Sequence, residues 1–409
     1  MPRRSNGLKD GISVEQPIGT GFAFGNGSDF AKNEITVGEN LYTFLDQFYD
    51  IFPETLAYRL YITGESYAGM YIPYIAATLV EKNRLTNGRP IPLAGILVQD
   101  GLWNITIQND INLAGHFFEE TNFFSENKTY LDQIYETAVN CSGINPYLFN
   151  FWNFPNNTNG CWVGNIPQSY LNVYKPGMYF NPYDIYTDAS NMNNMGNSLI
   201  DYLSSYDVQE AIHVSSERNK TQGSTPGWWT ICSNSSAPVN VYNIFGTDSP
   251  GSQQLLPKII ESGIATFITE GTADYIIHYK GIEAVIGNTT WNGAKGFEHP
   301  HVVDLYPAPL PGSRVYNHTV AGKITSERGL TYVTVINAGH EIPFYKPAAA
   351  LSTLKHLLNA KHTYKPGKGV NFDLAKIGRH VNVTVPSSAA PFPNNTVSRS
   401  LLFRGREAL

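Results

Sequence analysis

Apolar residues near the start of the chain recur with the period of an α-helix. In "ENLYTFLDQFYDIF", the positions i, i+3, i+4 and i+7 are occupied by Leu41, Phe44, Leu45 and Phe48. This spacing places them on one face of a helix, which we expect to end near Pro53.

Two apolar runs of strand length follow, with a helical pattern between them. The runs are "RLYIT" (59–63) and "GILVQ" (95–99), and the intervening "YIPYIAATLVEK" has the pattern of a helix. A strand, a helix and a second strand in this order predict parallel strands joined by a right-handed crossover.

The same alternation returns in the second half of the chain. "QQLLPKIIES" predicts a helix and "GIATFIT" a strand, and "LTYVTVI" predicts a further strand before the helical "PAAALSTLKHLLNAK". Strands that alternate with helices are typical of an α/β protein with a doubly wound, mostly parallel sheet.

Between these two stretches, from about Asn104 to Cys232, the alternation of strand and helix patterns stops. Aromatic residues, Asn and Pro crowd "INPYLFNFWNFPNNTNGCW" and "YKPGMYFNPYDIYTDAS", which fit no simple strand or helix pattern. We interpret this segment as an inserted cap over the carboxyl edge of the sheet, where open α/β folds bind ligands. The predicted organisation is a core in two parts (1–103 and 233–361), the cap (104–232) and a C-terminal edge or tail (362–409).

Composition excludes several classes of function. Of the 409 residues, 42% are hydrophobic and 15% charged, and the net charge is −6. These values indicate a globular protein and argue against nucleic acid or anionic lipid as a partner. The sequence has no run of eighteen apolar residues, so no membrane span is predicted, and the basic start "MPRRSNGLKDGIS" lacks the apolar segment of a signal peptide.

Acceptor sequences for N-glycosylation favour the secretory pathway. Asn-x-Ser/Thr occurs eleven times, against roughly five expected from composition. The alternative is a chain that is merely rich in asparagine. We expect a secreted or vacuolar glycoprotein with sugars on Asn26, Asn104, Asn127, Asn140, Asn156, Asn219, Asn234, Asn288, Asn317, Asn382 and Asn394.

The three cysteines cannot all pair within this sequence. Cys141 and Cys161 lie twenty residues apart in the cap segment, and a disulfide between them would hold a loose insertion together. Cys232 then remains as a free thiol, an intermolecular disulfide, or one half of a bond to a cysteine absent from this sequence.

The stretch "YITGESYAGMYIP" places Ser66 between a predicted strand and a predicted helix. G-x-S-x-A/G at such a junction is the pattern of a nucleophile elbow, a turn that strains the serine backbone and projects its Oγ from the sheet. Gly64 and Ala68 are small enough to let neighbouring backbone approach closely. The alternative is an ordinary small polar residue in a loop.

A nucleophilic serine needs a base and a carboxylate that orients the base. Asp274 in "FITEGTADY" and His340 in "VINAGHEIPF" each follow a predicted strand, in the chain order nucleophile, acid, histidine. Singly, Asp274 could cap a turn and His340 could be a surface histidine. Because the carboxyl ends of parallel strands share one edge of a sheet, we expect the three side chains to converge.

At these residues the chain resembles the serine carboxypeptidases of the α/β-hydrolase fold, and within them the secreted or vacuolar fungal enzymes. The matching segments, in order, are "VEQPIGTGFAF", "ITGESYAGMYIP", "YDVQEAIHV", "IFGTDSP", "GTADYIIHYKG" and "NAGHEIPF". The resemblance implies a serine-type carboxypeptidase that acts through an acyl-enzyme on the C-termini of peptides and proteins. It implies Ser66 as nucleophile, His340 as general base and Asp274 as its partner.

Two neighbours of Ser66 gain roles from this resemblance and from chemistry. It implies that Glu65 keeps a protonated carboxyl that binds the terminal carboxylate of the substrate. Two facing carboxyls cannot both ionise cheaply, which favours acidic pH; the alternative for Glu65 is a solvated carboxylate beside the turn. Tyr67 is expected to offer its backbone N–H to the oxyanion, since the residue after the nucleophile supplies one donor.

Several positions depart from the pattern of the family. A glycine-rich segment reading roughly W-L-N-G-G-P-G-C-S-S, which holds the second oxyanion donor and a cysteine that pairs with the one matched by Cys232, has no counterpart here. We therefore expect a form that lacks the family's N-terminal strands, with impaired catalysis. His278 stands where asparagine is usual, Asp100 lies where Gly-Asn-Gly is usual, and Thr272 replaces an acidic residue.

Glu341, beside His340, is expected near the pocket of the leaving residue, where its charge would favour basic C-terminal side chains. Rival hypotheses are an acyltransferase or hydroxynitrile lyase on the same scaffold, and an inactive glycoprotein that only binds peptides. "GTGFAFGNG" has the wrong spacing for a dinucleotide loop, and "HPH" (299–301) lacks further ligands at metal spacing. No cofactor and no metal are predicted, and the oligomeric state is not predicted.

Overall fold

The computed structural model describes residues 11–23, 30–85, 89–108, 110–140, 163–214, 229, 249–312, 319–365 and 372, without the side chains of 191–197. Six strands in this part of the chain form one sheet, in the order β1-β2-β3-β8-β7-β6. Their bounds are β1 Leu60–Glu65, β2 Leu93–Gln99, β3 Ala265–Gly271, β6 His301–Leu305, β7 Gly322–Glu327 and β8 Leu330–Val335, and a separate hairpin joins β4 Thr290–Trp291 to β5 Ala294–Lys295.

Parallel pairing joins β1, β2, β3 and β8, as the alternation of strands and helices predicts. β7 and β6 extend the sheet antiparallel to β8. Their direction follows from the turn between β7 and β8, where Arg328 and Gly329 both have positive φ (49° and 92°). A two-residue turn of this kind reverses the chain into a hairpin, so the sheet is mostly parallel with an antiparallel edge.

Helices cover both faces of this sheet and make up most of the described segment between β2 and β3. Their bounds are α1 Glu34–Ile51, α2 Ala68–Leu85, α3 Ile105–Gln108, α4 Ile111–Glu120, α5 Thr129–Asn140, α6 Asn165–Tyr174, α7 Met192–Ser204, α8 Tyr206–Ala211, α9 Leu256–Glu261, α10 Tyr279–Gly287, α11 Ile342–Tyr345 and α12 Pro347–Asn359. Short 3₁₀ turns lie at Pro53–Ala57, Ala189–Asn191 and Ser252–Leu255.

The predicted helix near the start of the chain is α1, and its buried stripe is shifted from the predicted one. Val37, Leu41, Leu45 and Tyr49 are buried at a spacing of four residues, whereas Phe44 is 38% exposed. Residues four apart lie above one another on a helix, so this row packs on α2 within the main core cluster. Phe44 instead stacks on Phe48, with ring centroids 6.3 Å apart.

α2 is buried along most of its length because it lies between the sheet and α1. Tyr74, Ile75, Leu79 and Val80 have no exposed surface. The buried residues of α2 run almost continuously from Gly69 to Val80, and a helix that is apolar on most sides belongs to the interior. This packing fixes the helix that begins directly after Ser66.

The segment predicted as a cap is largely helical where the structure describes it, from α3 to α8, and is irregular between α6 and the 3₁₀ turn at Ala189–Asn191. Its aromatic residues form a second core that includes Phe117, Phe118, Phe124 and Tyr170. Phe118 packs against Tyr275 with ring centroids 4.7 Å apart, beside Asp274 in the chain. Aromatic pairs of this kind add packing energy beyond their buried area, so they join the inserted segment to the loop that follows β3. None of the described helices is long and apolar enough to cross a membrane.

Candidate active site

Ser66 lies on a strained turn between β1 and α2. Its φ is +60°, a backbone conformation that costs energy for a residue with a side chain. The turn is held on both sides, because the Ser66 N–H donates to Gln99 O at 2.9 Å and the Leu102 N–H donates to Ser66 O at 2.9 Å. This is the predicted geometry of a nucleophile elbow.

Small residues allow the elbow to form. A Cβ on Gly64 would lie 2.6 Å from the Ala68 side chain, and a Cβ on Gly69 would lie 2.5–2.7 Å from backbone atoms of Leu102. Backbone atoms cannot yield as a flexible side chain can. Glycine is therefore required at position 69 for α2 to start where it does.

Asp274 is fully buried in the loop after β3. Its Oδ1 accepts hydrogen bonds from the N–H groups of Ile276 at 2.8 Å and Ile277 at 3.3 Å. Its Oδ2 lies 2.7 Å from His340 Nδ1. A carboxylate with both oxygens engaged in this way has a fixed orientation.

His340 follows β8 and is held by the inserted segment as well as by Asp274. Its backbone N–H donates to Tyr183 O at 2.8 Å, and the two rings pack edge to face with centroids 5.3 Å apart. With Nδ1–H donating to the carboxylate, Nε2 is the nitrogen that can accept a proton. In the sequence, Tyr183 belongs to an irregular aromatic stretch. Nothing in its local pattern indicates this contact with His340.

The carboxyl ends of β1, β3 and β8 bring Ser66, Asp274 and His340 to one edge of the sheet. The described residues include no hydrogen bond between Ser66 Oγ and the His340 ring. In hydrolases without substrate this contact is commonly long and tightens when substrate binds. Asp274 and His340 are already joined by the 2.7 Å contact between Oδ2 and Nδ1.

The pKa of His340 reflects a balance between burial and charge. Burial alone lowers the pKa of this imidazole, but the charge and the hydrogen bond of Asp274 raise it by more, with further contributions from Glu65 and Glu341. The net result is a raised pKa. The surroundings of His340 thus favour its protonated form.

Glu65 ends β1 and is the titrating group closest in sequence to the serine. Burial raises its pKa to about 7, while the charge of His340 lowers it and the charges of Glu341 and Asp274 raise it. Its carboxyl therefore holds a proton at acidic pH and can donate a hydrogen bond. Glu341 is exposed, and its influence on both Glu65 and His340 places it beside the site.

Tyr67 starts the turn into α2, directly after Ser66. Its hydroxyl donates to Glu34 Oε1 at 3.0 Å, and Glu34 is buried at the first turn of α1. This bond links the residue predicted as an oxyanion donor to the helix packed against α2.

A family model described as serine carboxypeptidase matches residues 6–360. The chain belongs to the serine carboxypeptidase family. It is 29% identical to the pheromone-processing carboxypeptidase kex1 of Talaromyces marneffei, with 85% of this chain and 54% of that protein covered. It is 30% identical to a carboxypeptidase Y homolog of Arthroderma benhamiae, with 86% of this chain and 68% of that protein covered. The chain thus spans about half the length of the first of these relatives and about two thirds of the second.

A solved structure of Kex1Δp, a prohormone-processing carboxypeptidase of Saccharomyces cerevisiae, shares the fold. The TM-score is 0.63 at 23% identity, over 87% of this chain and 75% of the other. Together with the mostly parallel sheet, this likeness confirms the predicted α/β-hydrolase fold.

At two positions where this chain departs from the family pattern, another side chain makes an equivalent contact. His278 caps α10, because its Nδ1 accepts the N–H of Gly281 at 3.1 Å, a task that asparagine also performs. Burial, followed by the charge of Lys280, lowers the pKa of His278 to about 3, so the ring is neutral. Thr272 Oγ1 accepts the N–H of Asn337 at 2.9 Å, as a carboxylate could.

The other predicted sites lie partly outside the described residues. Cys141, Cys161 and Cys232 are among those outside, as are Asn26, Asn156, Asn219, Asn234, Asn317, Asn382 and Asn394. Asn140 is exposed at the end of α5, and Asn127 and Asn288 are partly exposed. Asn104 is partly buried and its amide donates to Gln253 Oε1 at 3.0 Å. Within the described ranges, no three His, Cys, Asp or Glu side chains are grouped to hold a metal ion.

Proposed function

We propose that this chain is a serine-type carboxypeptidase that removes residues from the C-termini of peptides and proteins through an acyl-enzyme. The main support is the His340–Asp274 bond of 2.7 Å at the sheet edge that also presents the strained turn of Ser66. Membership of the serine carboxypeptidase family supports the same reaction class.

Acylation uses the three side chains in sequence. His340 Nε2 takes the proton of Ser66 Oγ as this oxygen attacks the scissile carbonyl carbon. The carbonyl oxygen becomes an oxyanion, to which the Tyr67 backbone N–H donates, while Asp274 stabilises the imidazolium. The tetrahedral intermediate collapses as His340 gives the proton to the leaving nitrogen, so that the C-terminal residue departs and an ester on Ser66 remains.

Deacylation repeats these steps with water. His340 accepts a proton from the water as its oxygen attacks the ester, and returns a proton to Ser66 Oγ as the shortened peptide leaves. The net reaction consumes one water molecule per peptide bond, and no cofactor enters it.

Glu65 is proposed to select for a free C-terminus. Its protonated carboxyl donates a hydrogen bond to the terminal carboxylate of the substrate, a charge-assisted bond that an ionised Glu65 cannot make. Protonation also removes the negative charge that raises the pKa of His340. Protonation of Glu65 therefore lowers the pKa of His340 and favours the neutral imidazole that acts as the base.

We assign Glu341 to the leaving-residue pocket. Its exposed charge beside Glu65 and His340 favours Lys or Arg at the C-terminus. Because exposed ion pairs contribute at most about 1 kcal/mol, Glu341→Gln should lower the ratio of kcat/KM for a Lys-ending over a Leu-ending peptide by about two- to fivefold. An unchanged ratio would remove this assignment.

The reaction is tested with N-blocked dipeptides that end in Leu or Lys. We expect release of the free C-terminal amino acid, with a loss of roughly 10⁴-fold or more in kcat/KM in Ser66→Ala. Ser169→Ala, at an exposed serine on α6, is the matched control and should retain activity. Transfer of the acyl group to an added alcohol without hydrolysis would indicate an acyltransferase, and peptide binding without turnover would indicate the inactive glycoprotein.

The proposed setting is the secretory pathway, as a secreted or vacuolar glycoprotein. Support comes from the eleven acceptor sequences and from the proposed Cys141–Cys161 disulfide in the cap. Among the described acceptors, Asn140 is exposed, whereas Asn104, Asn127 and Asn288 are partly buried. Glycopeptide mapping of the protein from its native source should find sugar on Asn140, and complete absence of sugar would contradict this setting.

A further inference from the structure

Two buried carboxyl groups join the loops that follow β2 and β3, and neither has a part in the triad. Asp100 follows β2 and Glu270 lies near the end of β3, and both are fully buried. Asp100 is next to Gln99, which pairs with Thr269, so the two acids stand side by side in the sheet. The backbone of Asp100 has φ +43°, which is strained for a residue other than glycine.

Asp100 holds the start of the turn that carries Asp274. Its Oδ1 accepts the N–H of Gly271 at 2.7 Å, and the Asp274 N–H in turn donates to Gly271 O at 3.3 Å. Gly271 also lies against the His340 loop, because a Cβ there would be 2.5 Å from Ala338 O. Asp100 thus fixes the residue on which the acid and the base of the triad both rest.

Glu270 reaches in the opposite direction, to the support of the nucleophile. Its Oε1 accepts the N–H of Gly101 at 3.4 Å. The next residue, Leu102, donates its N–H to Ser66 O at 2.9 Å. The pair therefore links the loop that holds the elbow to the turn that holds Asp274.

The contact between the two side chains requires a proton. Each carboxyl accepts the N–H of the residue that follows the other acid, Gly271 for Asp100 and Gly101 for Glu270, so both side chains cross between β2 and β3. Asp100 Oδ2 and Glu270 Oε2 are both buried and, with both groups ionised, neither has a donor among the described residues. As a carboxylic acid and a carboxylate they form one strong hydrogen bond, whereas two carboxylates repel each other.

The surroundings of the pair add negative charge. Asp274 after β3, Glu65 at the end of β1 and Glu283 on α10 all act on one or both acids, and the Tyr332 hydroxyl on β8 faces both. Burial comes first in raising the pKa of Asp100 and of Glu270; the charge of Glu270 comes next for Asp100, and the charge of Asp274 raises both. Lys280 on α10 is already engaged by Glu120 and Glu283.

We propose that Asp100 and Glu270 share a proton and act as a positioning clamp, which holds the turn of Asp274 against the loop that supports Ser66. The proposal rests on the proposed roles of Ser66 and Asp274. It predicts that loss of the shared proton at alkaline pH loosens the site, because the clamp then becomes two adjacent negative charges.

Infrared spectroscopy of the folded full chain tests the shared proton without any assay of activity. Protonated carboxylic acids have a C=O stretch that ionised carboxylates lack. We expect this band at a pH well above 7, where Glu65 is ionised, and its loss in Asp100→Asn/Glu270→Gln. A spectrum of the unaltered chain without the band, or an identical band in the double variant, would overturn the proposal.

The positioning role is tested by the rate at which a fluorophosphonate labels Ser66, since this probe has no carboxylate for Glu65 to bind. Glu270→Gln keeps a hydrogen-bond donor to Asp100 that does not titrate. The labelling rate of this variant at neutral pH should therefore stay within about twofold of that of the unaltered chain. The decline of the rate at alkaline pH should move to higher pH. Glu270→Ala removes the bond and should slow labelling by roughly tenfold to a hundredfold, the usual effect of losing a bond to a charged group. Glu39→Gln, at an exposed acid on α1, should match the unaltered chain.

The outcomes separate this proposal from the function proposed above. If the probe does not label Ser66 in the unaltered chain, the proposed triad is contradicted. The infrared band would still show whether Asp100 and Glu270 share a proton. Labelling of the unaltered chain together with equal pH profiles for it and for Glu270→Gln would leave the triad in place and refute the clamp.

Discussion

In this member of the serine carboxypeptidase family, residues around Ser66 shift one another's pKa through their charges. The charges of His340 and Asp274 act on the pKa of Glu65, and the charges of Asp274 and Glu65 act on the pKa of His340. The imidazolium lowers the pKa of Glu65, and ionised Glu65 raises the pKa of His340. Their titrations are therefore coupled, and a pH profile of activity reports the group and not one residue.

Glu65 should make stability depend on pH in a defined direction. Because its pKa is raised in the folded chain to about 7, the folded state keeps the proton that the unfolded chain loses near pH 4.5. Its contribution to the free energy of unfolding is complete below that pH and is lost as pH rises to about 7. Relative to Glu65→Gln, the unaltered chain should lose about 3 kcal/mol across this window, measured by chemical denaturation. If the free energies of unfolding of the two chains change in parallel with pH, the raised pKa of Glu65 is contradicted.

The packing of whole strands and helices, rather than single side-chain contacts, sets the position of Ser66. The start of α2 depends on contact between Gly69 and the backbone of Leu102, and on the burial of the helix between the sheet and α1. The strain stored at Ser66 persists because these contacts hold both sides of the turn.

Gly69→Ala should therefore damage the elbow. A Cβ at 2.5 Å from Leu102 O forces a backbone shift, which typically costs about 1–3 kcal/mol. We expect a lower Tm and slower fluorophosphonate labelling. Gly287→Ala at the end of α10 is the matched control, because a Cβ there meets nothing within 4 Å; equal effects of the two changes would argue against the steric account.

In the molecule as a whole, the inserted helices are fastened to the core by a buried ion cluster as well as by aromatic packing. Lys280 on α10 contacts Glu120 at the end of α4 at 2.6 Å and Glu283 at 2.9 Å. Burial lowers the pKa of Lys280, but the two glutamates more than offset this effect. Lys280 therefore stays charged, and its contact with Glu120 joins α4 to α10.

Removal of the lysine should weaken this connection. Lys280→Ala leaves two carboxylates without their cation, and breaking a buried pair typically costs about 3 kcal/mol or more. We expect a lower free energy of unfolding and faster proteolysis between α4 and α6. Lys323→Ala, which breaks an exposed pair with Asp304 on the edge hairpin, should cost less than about 1 kcal/mol. If both variants lose the same free energy of unfolding, the buried ion cluster has no special role in joining these helices to the core.

The sequence predicted the elements whose apolar residues recur with a clear period, and the motifs at their ends. β1, α2, β2, β3 and β8 were predicted within a few residues, and the structure places Ser66, Asp274 and His340 at their ends. β6 and β7 were missed. The outer strand β6 exposes Val302 and Val303 at its start, so it lacks the pattern of a buried strand.

Contacts between distant segments could not be predicted from one sequence. Asp100 and Glu270 are separated by 170 positions, and only the register of β2 on β3 brings them together. The same holds for Tyr183, whose carbonyl accepts the N–H of His340. The hydrophobic period and the secondary-structure propensity of a segment describe residues that are neighbours along the chain. They therefore carry no information on pairs of residues that are distant in sequence.

The central claim is that His340 and Asp274 activate Ser66, and mass mapping of a fluorophosphonate adduct tests it most directly. On the full chain we predict one adduct, on Ser66, formed about 10⁴-fold more slowly in Asp274→Asn, which gives the histidine the wrong tautomer. An unlabelled Ser66 in the folded chain, or an equal rate in Asp274→Asn, would contradict the claim.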